Sequence, residues 1–340
     1  MKKTFRILSA LTLCAMIAVG FSACGNDNIP NVKTQDEPKV EDSTDGPQKI
    51  VLKFAMGHFH PGAAFHQSSF PEGVTHAKTE EVFSFEKKDG VWILSEDSPR
   101  AMFVESAIMG LASLNPYGLW ISYFDKEGKE ITGTFSEGGM IDRYQHFFSV
   151  SNLTDLDDKQ ITGDATQVTG LFDYVYMDSD PWNQQIKKGA KRVGSTLISE
   201  DETGGRPVLE PLNPLGLKGF FNFKMTRVKF DLNVKLLNMP EDKMDNGKPR
   251  AFNAPKADAK EVVNFTLPVV VFMSRGDLDK FHLATDPDDY DVDSYDNLSE
   301  EGKALVDHIA NTFNFTREQA FKEVYKRLNE YAKDSSSLYF

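Results

Sequence analysis

From residue 228 to residue 236 the chain alternates without a break: Val228, Phe230, Leu232, Val234 and Leu236 are apolar, and Lys229, Asp231, Asn233 and Lys235 are polar. A period of two puts the first set on one side of a strand and the second on the other, which predicts one face buried and one in water. The same alternation opens at Ile50, where Leu52, Phe54 and Met56 share a face. Two hairpins follow, at "FEKKDGVWIL" (85–94) and "WISYFDKEGKEITGTF" (120–135), each with a glycine in its turn. Further strands are expected at 101–108, 144–150, 171–177, 217–225 and 261–273. Pro268 has no N–H for a ladder, which places the last of these at an edge or a bulge. No convincing internal repeat is visible.

After Met273 the pattern changes. An acidic stretch gives way to helical spacing, with Thr316, Arg317, Glu318 and Gln319 forming a capping box ahead of Phe321, Val324, Tyr325, Leu328 and Tyr331. Ser299 caps a shorter helix through Leu305, Val306 and Ile309, and this helical pair is expected to cover sheet surface. The fold class is therefore mainly β, an antiparallel β-sandwich over 49–275 with a carboxy-terminal helical extension over 276–340. Whether the β body is one domain or two stays open at this point.

Ahead of the body, residues 25–48 hold Asp, Asn, Pro and Lys with only Ile29, Val32 and Val40 as large aliphatics. Such a segment cannot offset its ordering entropy and reads as a flexible tether. Upstream, Lys2, Lys3 and Arg6 precede an apolar run from Ile7 to Gly20 that closes on Phe21, Ser22, Ala23 and Cys24. That arrangement resembles the signal peptide of bacterial lipoproteins, although Phe21 stands where leucine is usual. The resemblance implies cleavage after residue 23, lipid on the Cys24 thiol, and a place in the cell envelope as an outer-membrane lipoprotein.

Charge and cysteine content narrow the chemistry. Without residues 1–23 the chain keeps 35 Lys and Arg against 51 Asp and Glu, a charge of −16. Such an acidic body repels phosphate backbones, so nucleic acid is not an expected partner. Of the two cysteines, Cys14 lies in the leader and Cys24 carries the lipid. This excludes an intrachain disulfide, a thiolate metal cluster and a cysteine nucleophile.

The most pointed chemistry lies in "GHFHPGAAFHQ" (57–67), which places three of the seven histidines in eleven positions. On a strand His58 and His60 share a face with Met56, about 6.6–6.8 Å apart, and His66 returns after the Pro61-Gly62 turn. His146, in "DRYQHFFSV", is the candidate to close the site from a neighbouring strand. Imidazole suits copper, zinc, iron and nickel, and a thioether favours copper. Haem is the variant reading, with Phe59, Phe65, Phe147 and Phe148 against the porphyrin. The bland alternative is that these imidazoles only continue an apolar strand end.

A second candidate is "DPDDYDVDSYDNLSE" (286–300), where Asp289, Asp291, Asp293 and Glu300 partly match a calcium loop. Ser294 stands where that loop wants glycine, and Asp296 where it wants an apolar residue.

Nucleophile elbow, phosphate loop and zinc-protease helix motifs are all missing, so an enzyme is not expected. A metallohydrolase would need Asp142 or Glu72 as its base. In general plan the chain resembles accessory lipoproteins of Bacteroidetes-type bacteria that sit beside TonB-dependent receptors. That likeness implies capture of a transition metal or metal complex for uptake. The alternative is a surface glycan-binding lipoprotein stacking sugars on aromatics, for which Trp182 is the best loop platform, while Trp92 and Trp120 fall in strand patterns.

Overall fold

The computed structural model describes residues 46–56, 58–59, 65–66, 81–106, 116–163, 167–180, 182–183, 191–193, 196–198, 206–207, 213–241, 243–274 and 294–324. All of these fall within one compact unit, Thr44–Phe340. The expected leader, Cys24 and most of the tether lie outside the described residues.

Among the described residues, ten strands form the two larger sheets: β1 (Lys49–Met56), β2 (Glu81–Lys88), β3 (Val91–Leu94), β4 (Met102–Ser106), β5 (Tyr117–Phe124), β6 (Tyr144–Asp155), β7 (Phe172–Tyr176), β8 (Lys218–Phe223), β9 (Val228–Asn238) and β10 (Lys260–Ser274). They form a six-stranded sheet in the order β3-β2-β1-β5-β8-β7 and a four-stranded sheet in the order β4-β10-β9-β6. Pairing is antiparallel except for β4 with β10.

The two sheets pack face to face, and rings cross the interface. Phe85 meets Phe265 at 4.6 Å between centroids, Phe148 meets Phe221 at 5.2 Å, and Phe172 meets Phe230 at 6.2 Å. The inward residues of β9 are those that the alternation selects, Val228, Phe230, Leu232, Val234 and Leu236, each 3 % exposed or less. Burying one such side chain contributes roughly 1.5–3 kcal/mol, which fixes the register, because a slip by one residue would expose the whole set.

The four-stranded sheet is buried on both sides where β4 and β10 meet. Met102, Val104, Val269 and Val271 face the other sheet, while Phe103, Val270 and Phe272 face two helices, α1 (Glu300–Phe313) and α2 (Arg317–Val324). The Ser299 hydroxyl accepts from the Gly302 amide at 3.0 Å. Thr316 and Gln319 exchange reciprocal bonds of 2.8 and 3.1 Å, completing the capping box. Pro268 is opposite Asp231 on one side and precedes by one residue the parallel pairing that begins at Val269 and Met102. No ladder to β4 calls for its missing N–H there.

Two features depart from the sequence reading. The stretch 120–135 is not a full hairpin, because after a single bridge from Phe124 to Glu130 the chain folds into a 3-10 turn, Thr132–Phe135. The buried Thr132 hydroxyl takes the Tyr123 amide at 2.8 Å, a bond that a returning strand would otherwise supply. There is also a repeat. Asp125 Oδ1 accepts from the amides of Glu127 and Lys129 at 3.0 and 2.8 Å, and Asp155 Oδ1 accepts from those of Asp157 and Lys159 at 2.9 and 2.9 Å. Both turns read Asp-x-x-x-Lys-x-Ile-Thr-Gly, one closing β5 and the other β6.

Candidate functional site

The histidine stretch continues from the end of β1, where Met56 is opposite Tyr117 of β5. Beyond it His58–Phe59 pairs antiparallel with Phe65–His66, so that His58 is directly opposite His66 and Phe59 opposite Phe65. Directly opposed residues of an antiparallel pair share one face of the ribbon. His60, expected in the same group, lies outside the described residues, as do His76, His282 and Glu72. Glu81, opposite Phe54 near the same end of β1, is a buried carboxylate at 6 % exposure.

His146 does not join this group as an available ligand. It is fully buried on β6, and both ring nitrogens are held by protein. Nδ1 lies 2.8 Å from the Leu215 carbonyl, which can only accept, so Nδ1 carries the proton. Nε2 is then the acceptor for the Tyr123 hydroxyl at 2.6 Å. Burial pushes the imidazole down to about 4, a fall that the Leu215 bond opposes and Lys243 reinforces. A neutral ring with both nitrogens engaged offers no lone pair to an ion. The phenylalanines beside it are also committed, Phe148 to the inter-sheet core and Phe147 to Leu237 and Met239, which removes them as walls of a haem pocket.

What surrounds His146 is a buried polar seam that the sequence reading missed. The Tyr176 hydroxyl donates to the His146 carbonyl at 2.6 Å and accepts from Gln145 Nε2 at 3.1 Å. Asp178, 4 % exposed, takes four backbone amides: Leu215 and Gly216 on Oδ2 at 2.9 and 2.7 Å, and Leu217 and Lys218 on Oδ1 at 2.8 and 3.1 Å. This carboxylate satisfies the N–H groups of the segment leading into β8, which burial would otherwise leave costly.

Two buried lysines flank the seam. The Lys218 ammonium is 4.2 Å from the centroid of the Trp120 ring, and Lys243 donates to the Ile141 carbonyl. Burial drives Lys218 down to about 7 and Lys243 to about 8; Asp178 opposes both shifts, and Asp142 also opposes that of Lys243. The sequence signal was weak because Lys218 interrupts the apolar run "LGLKGFFNF" (215–223) and so reads as a wet position.

The remaining candidates separate in the same way. Asp289, Asp291 and Asp293 lie outside the described residues. Glu300 is the exposed first residue of α1, with Lys303 at 3.3 Å. Asp142 is exposed and accepts from Asn213. The Trp182 indole N–H donates to Glu137 at 2.9 Å and the ring packs on the core, so it is not an open stacking platform. Trp92 and Trp120 are half-buried, each with a lysine over its ring. Among the described residues no three His, Cys, Asp or Glu side chains are grouped to hold a metal, and no helix is long and apolar enough to cross a membrane.

Comparison with known proteins finds no matching family model, no matching curated protein and no matching solved structure.

Proposed function

We propose that this chain is an exported, lipid-anchored envelope protein that captures a transition metal or a metal complex through the histidine ribbon at the end of β1. The observation that supports this reading is the register that sets His58 opposite His66. A directly opposed pair has Cβ atoms about 4.5–5.5 Å apart, a spacing two imidazoles can close onto one ion. Zinc and copper are the metals that a bis-imidazole pair suits best, with a carboxylate, a thioether or the cargo's own ligands filling the remaining positions. The anchor reading rests on Cys24 and its leader, and an uptake receptor in the outer membrane is the partner this plan implies.

The test uses untagged protein lacking residues 1–24, titrated calorimetrically with zinc and with copper. The parent should bind one equivalent, and a His58→Ala, His66→Ala variant should lose at least about a hundredfold in affinity. Equal binding by the variant would remove the ribbon from the reading.

A further inference from the structure

A cleft of about 480 Å3 opens where the turn after β6 meets α1, lined by Asp155, Leu156, Asp157, Arg227, Glu301, Ala304, Leu305 and His308. It lies within the size range of small-molecule sites. Its lining divides by chemistry. Ala304 and the edges of the buried Leu156 and Leu305 supply apolar surface, Arg227 a guanidinium, and Asp157 and Glu301 carboxylates contributed by the turn and the helix.

Several charges nearby are already committed. Asp155 Oδ1 is held by the turn amides of Asp157 and Lys159, and Asp158 pairs with Lys229 at 2.5 Å. Among the described residues nothing pairs with the carboxylates of Asp157 and Glu301, which line the cleft. Arg227, by contrast, is not free, and it stands in the tight turn between β8 and β9 with a left-handed backbone, φ +58°. Its five N–H donors allow it to serve more than one partner. His308 is half-buried, with Nε2 3.3 Å from the Thr312 hydroxyl. Burial and Lys229 hold its imidazole below the ordinary value, against the pull of Asp157, Asp158 and Asp155.

A bare metal ion fits this arrangement poorly, since no three of these side chains are grouped to hold one. A ligand carrying both charges and an apolar body fits every part of the lining. We infer that the cleft between the 155–158 turn and α1 binds a small zwitterion of the free dipeptide type. Its ammonium meets Asp157 and Glu301, its carboxylate meets Arg227, and an apolar side chain lies over Leu156, Ala304 and Leu305. This site is independent of the histidine ribbon.

The probes are the dipeptides Gly-Leu and Leu-Leu, their N-acetyl forms and their carboxamides, titrated calorimetrically against the parent, Asp157→Asn/Glu301→Gln and Arg227→Gln. At least one free dipeptide should bind the parent saturably at millimolar concentration or below, with the acetylated form weakened about tenfold or more. The double variant should lose that preference for a free ammonium. Arg227→Gln should abolish the difference between acid and carboxamide, with its melting curve checking that the turn survives. No saturable heat with either dipeptide at about 10 mM, or equal affinity for free and blocked forms, overturns the inference.

Discussion

The Tyr123 hydroxyl and His146 Nε2 lie 2.6 Å apart, with the two rings nearly parallel at 11°, and this bond ties the six-stranded sheet to the four-stranded one inside the core. Neither group has water to fall back on, since both residues are fully buried. Tyr123→Phe keeps the ring and deletes only the donor, so it strands the Nε2 lone pair. The loss should be about 1–3 kcal/mol by denaturant unfolding. The zinc or copper binding proposed for the ribbon should be unaffected, because His146 acts in the core. A Tyr123→Phe protein as stable as the parent would mean that the seam contributes nothing.

The same imidazole sets an acid limit. His146 titrates near 4 folded and near 6.5 unfolded, because burial disfavours its charged form. Between those values the unfolded chain holds the extra proton, so stability falls as the pH drops from about 6.5 through 4, by on the order of 3 kcal/mol. The lysines act in the same direction at higher pH. Lys218 and Lys243 are lowered to about 7 and 8 from 10.5, so unfolding free energy should rise from about pH 7 toward pH 10. Replacing Lys218 by methionine should flatten the lower part of that rise. A urea midpoint in Lys218→Met that still climbs as steeply as the parent's between pH 7 and 8 would contradict this account.

Asp178→Asn retains volume and shape but replaces a four-bond charged acceptor by an amide with one oxygen. Its NH2 would then face two of the amides at Leu215–Lys218, donor against donor. A cost of about 2–4 kcal/mol follows from breaking charge-assisted bonds and leaving buried N–H groups without partners. Hydrogen exchange at residues 215–218 should accelerate far more than exchange in β9. Uniform acceleration across both would show that Asp178 has no local role.

The sheets were legible in the sequence because their signal is local: Val228 to Leu236 alternates without interruption, and the Ser299 and Thr316 caps are written in adjacent residues. The seam was not, because Tyr123, His146, Asp178 and Lys218 lie on four separate stretches and converge only when the sheets pack. His146 illustrates the difficulty. An imidazole beside Phe147 and Phe148 reads equally as ligand or as core, and only the Leu215 carbonyl, 69 positions along the chain, decides between them. The paired turns were hidden for another reason. Their shared residues are spread over nine positions, with identity only at Asp, Lys, Ile, Thr and Gly, and the strands before them differ in composition.

Those two turns offer an internal control. Asp125 and Asp155 make the same pair of amide bonds in the same loop geometry. Their surroundings diverge afterwards, since Thr132 is buried against Tyr123 while Thr162 is exposed. If the aspartates act only as turn caps, Asp125→Ala and Asp155→Ala should each cost about 1 kcal/mol, and the double variant should show their sum within about 0.5 kcal/mol. The Thr132→Val and Thr162→Val pair should behave unequally. Thr132→Val leaves the Tyr123 amide without its acceptor and should cost about 1–3 kcal/mol, while Thr162→Val should fall within about 0.5 kcal/mol of the parent. Chemical denaturation of these variants reads both effects. Equal costs at the two threonines would mean that the first turn is held by something other than the buried hydroxyl.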